Sequence, residues 1–226
     1  MNITAIIPAR GGSKGLPDKN IKEINGKPLI SWSIEQALST QLINKVIVST
    51  DSEKIADVSR SSGALIPELR PRWLAEDETP TEPVMIHAVK NWLDNEPTDA
   101  IVLLQPTSPL RLKNTINNAI KSFKDESADS LLSVSETHSF FWKFNANPIA
   151  SYNYQKRPRR QDIDKSELMY KETGSIYITK TELLLREKNR LGGKIKMFET
   201  QQIESYEIDS KVDFIFVENL MKEINL

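Results

Sequence analysis

Residues 5–21 read Ala-Ile-Ile-Pro-Ala-Arg-Gly-Gly-Ser-Lys-Gly-Leu-Pro-Asp-Lys-Asn-Ile, and the fold is most readily inferred from them. An apolar strand predicted at Ile3–Ile7 runs directly into a loop with three glycines and three cationic side chains. Glycine lets backbone N–H groups approach a ligand closely, and cations beside such groups suit a polyphosphate. The spacing matches neither a P-loop nor the glycine pattern of a dinucleotide-binding fold. The stretch therefore predicts a phosphate-binding loop of a third kind.

Short apolar segments alternate with helical patterns from this loop onward. Brief, branched segments that are apolar throughout predict buried parallel strands at Ile3–Ile7, Val46–Ser49 and Ile101–Leu104, with a further strand at Leu131–Val134. Helices are predicted near Leu29–Ser39, Glu53–Ser62, Val84–Asn95 and Leu112–Lys124. This alternation indicates an α/β fold with a Rossmann-like, doubly wound, mostly parallel sheet.

The C-terminal third returns to regular structure. Strands are predicted at Gly174–Thr179, Ile195–Phe198 and Tyr206–Ile208, and helices at Thr181–Glu187 and Val212–Ile224. The length of 226 residues suits one sizeable domain, which we place at residues 1–226.

Polar clusters follow three of the predicted strands. They are the glycine loop, Ser49-Thr50-Asp51 and Gln105-Pro106-Thr107-Ser108. Ligands in doubly wound sheets bind beyond the carboxyl ends of the strands. The sequence therefore predicts an active site at this edge of the sheet.

The composition excludes several classes of protein. The 31 acidic and 30 basic residues nearly balance, so neither nucleic acid nor a membrane is expected as a partner. The absence of cysteine excludes disulfides, thiolate metal sites and a cysteine nucleophile. With no basic-plus-apolar leader and no apolar run near about 18 residues, we expect a cytoplasmic protein.

Residues 138 to about 170 break the alternation. The stretch 138–144 is aromatic and strand-like, and 155–165 is densely charged, but neither has a helical period. Such a segment does not easily form a core alone. Its apolar side chains are expected to be covered either by a second subunit or by packing as a hairpin on their own sheet.

The run from Ile6 to Ile21 closely resembles the signature of the acylneuraminate (sialic acid) cytidylyltransferases. Later segments are similar too, so the resemblance extends over essentially the whole chain: they include 70–81 and 105–111. It implies a fold of the nucleotide-diphospho-sugar transferase type. It also implies a reaction in which CTP activates a 2-keto-3-deoxy nonulosonic acid and gives the CMP-sugar and pyrophosphate. In that family the region at 138–170 is a dimerisation arm, which implies a homodimer.

The resemblance assigns residues to the nucleotide. Those implied to bind it are Ala9, Arg10, Gly11, Gly12, Ser13, Lys14, Lys19, Asn20, Arg70 and Thr81. The catalytic residues that the resemblance implies are Lys19, Arg10 and Asp209. Charged residues of this kind suit phosphoryl transfer, which needs alignment of the reactants and neutralisation of phosphate charge. From the residues alone, Thr81 is equally a candidate N-cap of the following helix.

The expected cofactor is Mg²⁺ or another divalent cation, for which carboxylates are suitable ligands. The metal-binding aspartate of the family matches Asp209, and Glu207 stands where its usual second aspartate lies. Asp213 has a structural explanation, because Ser210-x-x-Asp213 is typical of a helix capping box. Asp51 is likewise a candidate cap for the helix that follows it.

The residues implied to bind the sugar acid are Gln105, Thr107, Ser108, Arg111, Lys143, Arg160, Gln161 and Tyr177. Lys143, Arg160 and Gln161 match positions that face the sugar acid across the dimer. Arg111 either pairs with a carboxylate or fixes the turn that contains it. No general base is evident from the sequence.

Other substrates and one other class of protein stay open. The same reaction on legionaminic, pseudaminic or another related acid is an alternative, and the eight-carbon KDO is less favoured. A catalytically inactive nucleotide-binding regulatory module is the alternative of a different class. It predicts loss of Lys19 or Asp209, and both are present.

Overall fold

A six-stranded sheet is the largest feature of the computed structural model, which describes residues 1–93 and 97–224 without the side chain of Lys165. The strands are β1 (Ile3–Pro8), β2 (Glu23–Ile24), β3 (Lys27–Pro28), β4 (Lys45–Ser49), β5 (Ala100–Leu104), β6 (Ser130–Thr137), β7 (Trp142–Lys143), β8 (Ile149–Ala150), β9 (Met169–Lys180) and β10 (Ile195–Glu199). The helices are α1 (Leu29–Leu38), α2 (Glu53–Ser61), α3 (Thr81–Trp92), α4 (Thr115–Asp125), α5 (Thr181–Glu187) and α6 (Lys211–Glu223). Within the described ranges no helix has the length and apolar character needed to cross a membrane.

Most neighbouring strands of the large sheet run parallel. The order is β10-β6-β9-β5-β1-β4. β1 is parallel to β4 and β5, and β10 is parallel to β6, whereas β9 is antiparallel to both β5 and β6. The predicted α/β class and mostly parallel sheet are confirmed. The loops after β1, β4 and β5 consequently meet at one edge.

Helices cover both faces of this sheet. Because successive side chains of a strand point to opposite faces, Ile3, Ala5 and Ile7 of β1 join one core and Ile6 joins another. The first core includes residues of α1, α2 and α4, and the second includes residues of α3 and α5. Burying one such aliphatic side chain stabilises the fold by about 1.5–3 kcal/mol. The two cores thereby fix the strand ends that carry the polar loops.

A third apolar cluster fastens α6 against the glycine loop. Leu16 of the loop packs in one cluster with Ile208 and with buried residues of α6. The predicted capping box is confirmed: Ser210 Oγ accepts from the Asp213 N–H at 3.3 Å, and Asp213 Oδ2 accepts from the Ser210 N–H at 2.7 Å. Cluster and cap together hold residues 207–210 beside the loop.

Two predicted helices differ from the structure at their ends. The helix predicted from Leu112 begins at Thr115, because Asn114 has a φ of 69° and interrupts the helical backbone. The helix predicted at Val84–Asn95 begins three residues earlier, at Thr81. Its predicted end at Asn95 lies outside the described residues.

The strand predicted at Tyr206–Ile208 is wrong. The segment follows a 3₁₀ turn at Gln202–Ser205 and joins no sheet in the described part of the chain. Its apolar pattern reflects burial of Ile208 beneath the glycine loop rather than strand pairing. A hydrogen bond from the Ile208 N–H to the Thr107 carbonyl, at 2.8 Å, holds it against the loop after β5.

Residues 138–170 contain a small hairpin in a sheet of its own. β7 pairs with β8 in antiparallel fashion, separate from the large sheet. Its large apolar side chains are about half exposed or more: Phe141, Trp142, Phe144, Ile149 and Tyr154. A hairpin packed on its own sheet would bury these side chains, so that interpretation is wrong for them. Dimerisation through this arm stays a prediction.

Candidate active site

A polar cleft of about 420 Å³ lies at the carboxyl ends of β1 and β5, with the segment after β4 beside it. It brings together residues that are far apart in the sequence. The predicted site residues that line it are Arg10, Ser13, Lys14, Lys19, Asn20, Arg70, Thr81, Gln105, Thr107, Glu207 and Asp209. Two other residues predicted to bind the nucleotide do not line the cleft: Ala9 is buried, and Gly12 is exposed.

Two cations of the glycine loop share one carboxylate. Arg10 Nη1 lies 2.8 Å from Asp77 Oδ1, and Lys14 Nζ forms an ion pair with Asp77 Oδ2. The hydrogen bond from Lys14, with the charge of Arg10, holds the pKa of the Asp77 carboxyl below its ordinary value. Sequence reasoning assigned Asp77 no role. The signal in the sequence for this contact was the acidic triplet at 76–78, which could balance the charge of the three cations in the loop.

The backbone of the loop is held from behind. The Gly11 N–H donates to Asp51 Oδ1 at 3.0 Å, and Asn20 Nδ2 donates to the Arg10 carbonyl at 3.0 Å. The expected capping role of Asp51 is wrong, because the N-cap of α2 is Ser52. Asp51 instead orients the loop, which keeps Arg10 turned towards the cleft.

Lys19 joins the loop to the segment before α6. Its Nζ donates to the Ile208 carbonyl at 2.8 Å and to Asp209 Oδ1 at 3.2 Å. The Lys19 side chain is 14% exposed and that of Asp209 is 75% exposed. A Cβ at Gly15 would overlap the backbone oxygen of Asp209, so this close approach requires glycine. Lys19 and Asp209 therefore face the cleft as a preformed ion pair.

Glu207 and Asp209 place two carboxylates on the same side of the cleft. Burial, followed by the nearby charge of Asp209, raises the pKa of Glu207. Gly174, with a φ of +65°, lets Glu207 approach so closely that a Cβ there would lie 2.8 Å from Glu207 Oε1. No group of three or more metal-ligating side chains occurs in the part of the chain that the structure describes. Two carboxylates still suit Mg²⁺, which takes one or two protein carboxylates and completes its shell with phosphate and water.

Arg70 and α3 form another part of the cleft wall. Arg70 is 5% exposed, and its Nη2 lies 3.9 Å from Asp51 Oδ1. Burial lowers the pKa of Arg70, which the charge of Asp51 opposes. Thr81 is the first residue of α3 and the N-cap is Pro80, so the N-cap interpretation of Thr81 is wrong. The N-terminal end of α3 faces the cleft, where unpaired backbone N–H groups attract anions.

Three predicted sugar-binding residues do not reach the cleft surface. Ser108 is fully buried, Arg111 is 2% exposed and Tyr177 is 3% exposed. Tyr177 donates its hydroxyl to the Glu172 carboxylate, and burial raises its pKa. Arg111 hydrogen-bonds to surrounding protein groups, so of its two predicted roles the structure favours fixing the turn. Gln105 and Thr107, by contrast, line the cleft.

The arm residues lie apart from the cleft within one chain. Lys143, Arg160 and Gln161 are exposed, and Arg160 lines a separate shallow depression of about 340 Å³. His138 lies in that depression, 3.3 Å from the Glu136 carboxylate, and His87 lies on α3. Neither histidine lines the cleft. The cleft thus supplies cations and carboxylates but no histidine base.

The chain is similar to known proteins over most of its length. The sequence profile of the cytidylyltransferase family matches residues 4–225. The CMP-N,N'-diacetyllegionaminic acid synthase of Legionella pneumophila is 35% identical over 227 residues, covering 98% of this chain and 97% of its own. N-acylneuraminate cytidylyltransferase A of Danio rerio is 34% identical over 226 residues, covering 94% of this chain and 49% of its own. This chain therefore spans about half the length of the Danio protein.

A solved structure confirms the fold independently. It is that of a CMP:2-keto-3-deoxy-manno-octonic acid synthetase complexed with CTP, which superposes with a TM-score of 0.74. The alignment covers 99% of this chain and all of the other at 18% identity, so it bears on the fold alone.

Proposed function

Because the chain belongs to the cytidylyltransferase family, we propose that it activates a sialic-acid-type nonulosonic acid with CTP. The anomeric hydroxyl oxygen of the acid forms a bond to the α-phosphorus. The bond from that phosphorus to the β-phosphate oxygen breaks, pyrophosphate leaves, and the hydroxyl proton is released. The main supporting observation is the cleft in which Arg10, Lys14 and Lys19 meet Asp209 at the strand ends.

On the nucleotide side, the proposal assigns the triphosphate to the glycine loop. Arg10 and Lys14 neutralise its β- and γ-phosphates, and the loop is held in place for it by the bonds that the N–H groups of Ala9 and Gly11 donate to the Ser49 carbonyl and to Asp51. Lys19 stabilises the charge that develops at the α-phosphate, because its buried stem and its bond to Ile208 fix the ammonium in place. Asn20, Arg70 and Thr81 hold the remainder of the nucleotide.

Asp209 and Glu207 are the proposed ligands of Mg²⁺. Both are oxygen donors at the cleft, and the raised pKa of Glu207 reflects a local excess of negative charge as well as burial. When bound, the ion neutralises phosphate charge and acidifies the acceptor hydroxyl. Lys19 keeps Asp209 on this wall through their ion pair.

On the sugar side, Gln105 and Thr107 offer polar groups in the cleft. The carboxylate common to these acids requires a cation, which we assign to Lys143 and Arg160 of a second subunit, with the Gln161 amide as a hydrogen-bonding partner. In one chain these residues lie apart from the cleft. The assignment therefore requires a homodimer, in which the arm of one subunit reaches the cleft of the other. Ser108, Arg111 and Tyr177 support the wall from behind.

Pyrophosphate release from CTP tests the function. The assay uses a panel of N-acetylneuraminic, legionaminic, pseudaminic and KDO acids, with and without Mg²⁺. We expect turnover with a nine-carbon acid and dependence on Mg²⁺. Lys19→Ala should lower kcat at least about 100-fold, as removal of a single transition-state charge donor does. Lys54→Ala, on the exposed face of α2, is the matched control and should retain full activity.

The same assay distinguishes the alternatives. Turnover of one related acid alone identifies the substrate. CTP binding without turnover on any acid contradicts the proposal and supports the nucleotide-binding regulatory module. Full activity of Lys19→Ala would remove the catalytic assignment while leaving the family unaffected.

A further inference from the structure

Arg111 is a buried guanidinium that connects several segments behind the cleft. Its Nη2 donates to the carbonyls of Gln105 and Ser175, both at 2.8 Å. Its Nη1 donates to Ser33 Oγ at 2.9 Å and to Gln36 Oε1 at 3.2 Å, both on α1. A charge this deeply buried is costly unless it is hydrogen-bonded, and here both terminal nitrogens have partners whereas Nε has none among the described residues.

The two carbonyls that Arg111 binds lie at the ends of neighbouring strands, because β5 pairs with β9 as far as Leu104 and Ile176. Gln105 itself lines the cleft. Ser175 follows Gly174, whose backbone is in close contact with the carboxylate of Glu207. Arg111 therefore connects the wall that carries Gln105 to the end of β9, against which the wall that carries Glu207 packs.

A buried carboxylate completes the connection. Glu204 is 3% exposed, and its Oε1 accepts from the Leu112 N–H at 2.9 Å. Its charge opposes the lowering of the Arg111 pKa by burial. Glu204 lies in the 3₁₀ turn that leads to Glu207. Through its bond with the Leu112 N–H, Glu204 thus joins the loop after β5 to the segment that carries the cleft carboxylates.

The nucleotide wall is held by other contacts. Arg10 and Lys14 pair with Asp77, and Asp51 binds the glycine loop. None of the hydrogen bonds of Arg111 in the described chain reaches these residues. A change at Arg111 is therefore transmitted to Gln105 and Glu207 and does not reach the contacts of Arg10 and Lys14.

We propose that Arg111 is a positioning residue, which sets the separation of the Gln105 and Glu207 walls and so aligns the acceptor acid. This inference rests on the proposed function. Lysine cannot replace arginine here, because one nitrogen cannot serve α1 and both wall carbonyls together. Misplacement of a reacting group by a fraction of an ångström is enough to lower a rate substantially.

The test compares Arg111→Lys with Ser33→Ala. Both remove hydrogen bonds of the same buried network, but only Arg111→Lys affects the wall carbonyls. We expect Arg111→Lys to lower kcat/KM for the sugar acid by about 10- to 100-fold. Measured without Mg²⁺, the Kd of CTP should change less than about twofold, because Arg10 and Lys14 are held separately. Ser33→Ala should lower Tm by about 2–4 °C and leave both constants near the wild-type values.

Amide hydrogen exchange supplies a readout that does not depend on turnover. In Arg111→Lys, exchange should rise at residues 105–108 and 173–176 and stay unchanged at 10–20. Unchanged exchange at both walls, or parallel losses of acid and CTP affinity, would overturn the positioning role even if the wild type is active. Inactive wild-type protein with the expected exchange pattern would contradict the proposed function alone.

A milder variant covers the case in which Arg111→Lys does not fold. Glu204→Gln keeps an acceptor for the Leu112 N–H, loses the one for the Gln201 N–H and removes the charge near Arg111. It should raise exchange at 105–108 and lower kcat/KM for the acid about threefold or more, with CTP affinity retained. Wild-type exchange and kinetics in Glu204→Gln would then overturn the inference.

Discussion

Asp77 contacts both loop cations that we assign to the triphosphate. Asp77 pairs with Arg10 and Lys14, the same side chains to which we assign the β- and γ-phosphates. It therefore occupies the place that these phosphates would take. An entering triphosphate has to compete with this carboxylate for the same two side chains. Asp77 therefore balances the charge of the loop when no nucleotide is bound.

Asp77→Asn should tighten CTP binding. Exposed ion pairs are weak, so we expect Kd to fall by about three- to tenfold. Isothermal titration calorimetry without a sugar acid measures this directly. Glu78→Gln, an exposed neighbour outside the pairs, removes the same charge and should change Kd less. Weaker CTP binding in Asp77→Asn would mean that Asp77 orients the cations instead of competing for them.

The orientation of single side chains was the least predictable part of the site. Gln105, Thr107, Ser108 and Arg111 belong to one short motif, yet two of them line the cleft and two are buried. Irregular backbone after β5 sets these directions, and it has no sequence period from which they could be read. The cations of residues 10–19 were more predictable, because charged side chains beside glycines have few alternatives to a solvent-facing loop.

At the scale of elements, the start of α6 fixes the position of Asp209. The Ser210 side chain accepts from the Asp213 N–H and closes a capping box there. Ser52 is the N-cap of α2 but makes no side-chain capping bond. Ser52 is therefore a matched control for Ser210, because both are N-cap residues and only Ser210 makes a side-chain capping bond.

Ser210→Ala should destabilise the protein by about 1 kcal/mol, which is the usual effect of losing an N-cap. That corresponds to a fall in Tm of about 2–4 °C for a chain of this length. Ser52→Ala should lower Tm by a smaller amount. Differential scanning calorimetry compares the two variants, and equal shifts would show that the capping bond of Ser210 contributes nothing.

Asp129 ties β9 to the start of β10 and gives this edge of the sheet a pH dependence. It accepts from Lys180 Nζ at 2.7 Å and from the Lys194 N–H at 2.8 Å. The bond from Lys180, followed by that from Lys194, lowers the pKa of Asp129. A carboxyl with a lowered pKa adds stability above its unfolded pKa, about 3.9, and loses it as pH falls through the folded pKa.

Asp129→Asn should therefore lower Tm at pH 7, and the difference from wild type should shrink below about pH 4. Thermal unfolding followed by circular dichroism at pH 7, 5, 4 and 3 measures the difference. A difference of the same size at pH 7 and pH 3 would contradict a role for the ionised carboxylate.

Regular elements were predicted well for a physical reason. β1, β4 and β5 are buried on both faces, so they appear in the sequence as continuous apolar runs. Tyr206-Glu207-Ile208 alternates apolar and charged residues as a half-buried strand does, but Ile208 is buried by α6 and the glycine loop instead of by strand neighbours. Composition reports burial, and it does not distinguish pairing in a sheet from packing beneath a loop.

At the scale of the whole molecule, the exposed arm predicts the oligomeric state. Trp142 and Phe144 are 49% and 103% exposed on one small hairpin, a pattern typical of an interaction surface. The charged residues assigned to the sugar acid lie on this same arm. Assembly of two chains would thus complete the acceptor side of each site.

Replacing both Trp142 and Phe144 by serine should convert a dimer to a monomer and lower activity with it. Sedimentation velocity gives the mass, and the pyrophosphate assay gives the turnover. Trp73→Ser removes an exposed tryptophan outside the arm and should leave the mass unchanged. A wild-type protein that sediments as an active monomer would refute the dimer.

The crystal structure of the wild-type protein with CTP and Mg²⁺ tests the location of the nucleotide most directly. The proposed function predicts the triphosphate between residues 10–19 and Asp209, with Arg10 and Lys14 released from Asp77 and the ion on Asp209. Nucleotide bound elsewhere on the molecule, with the glycine loop still paired to Asp77, would contradict it.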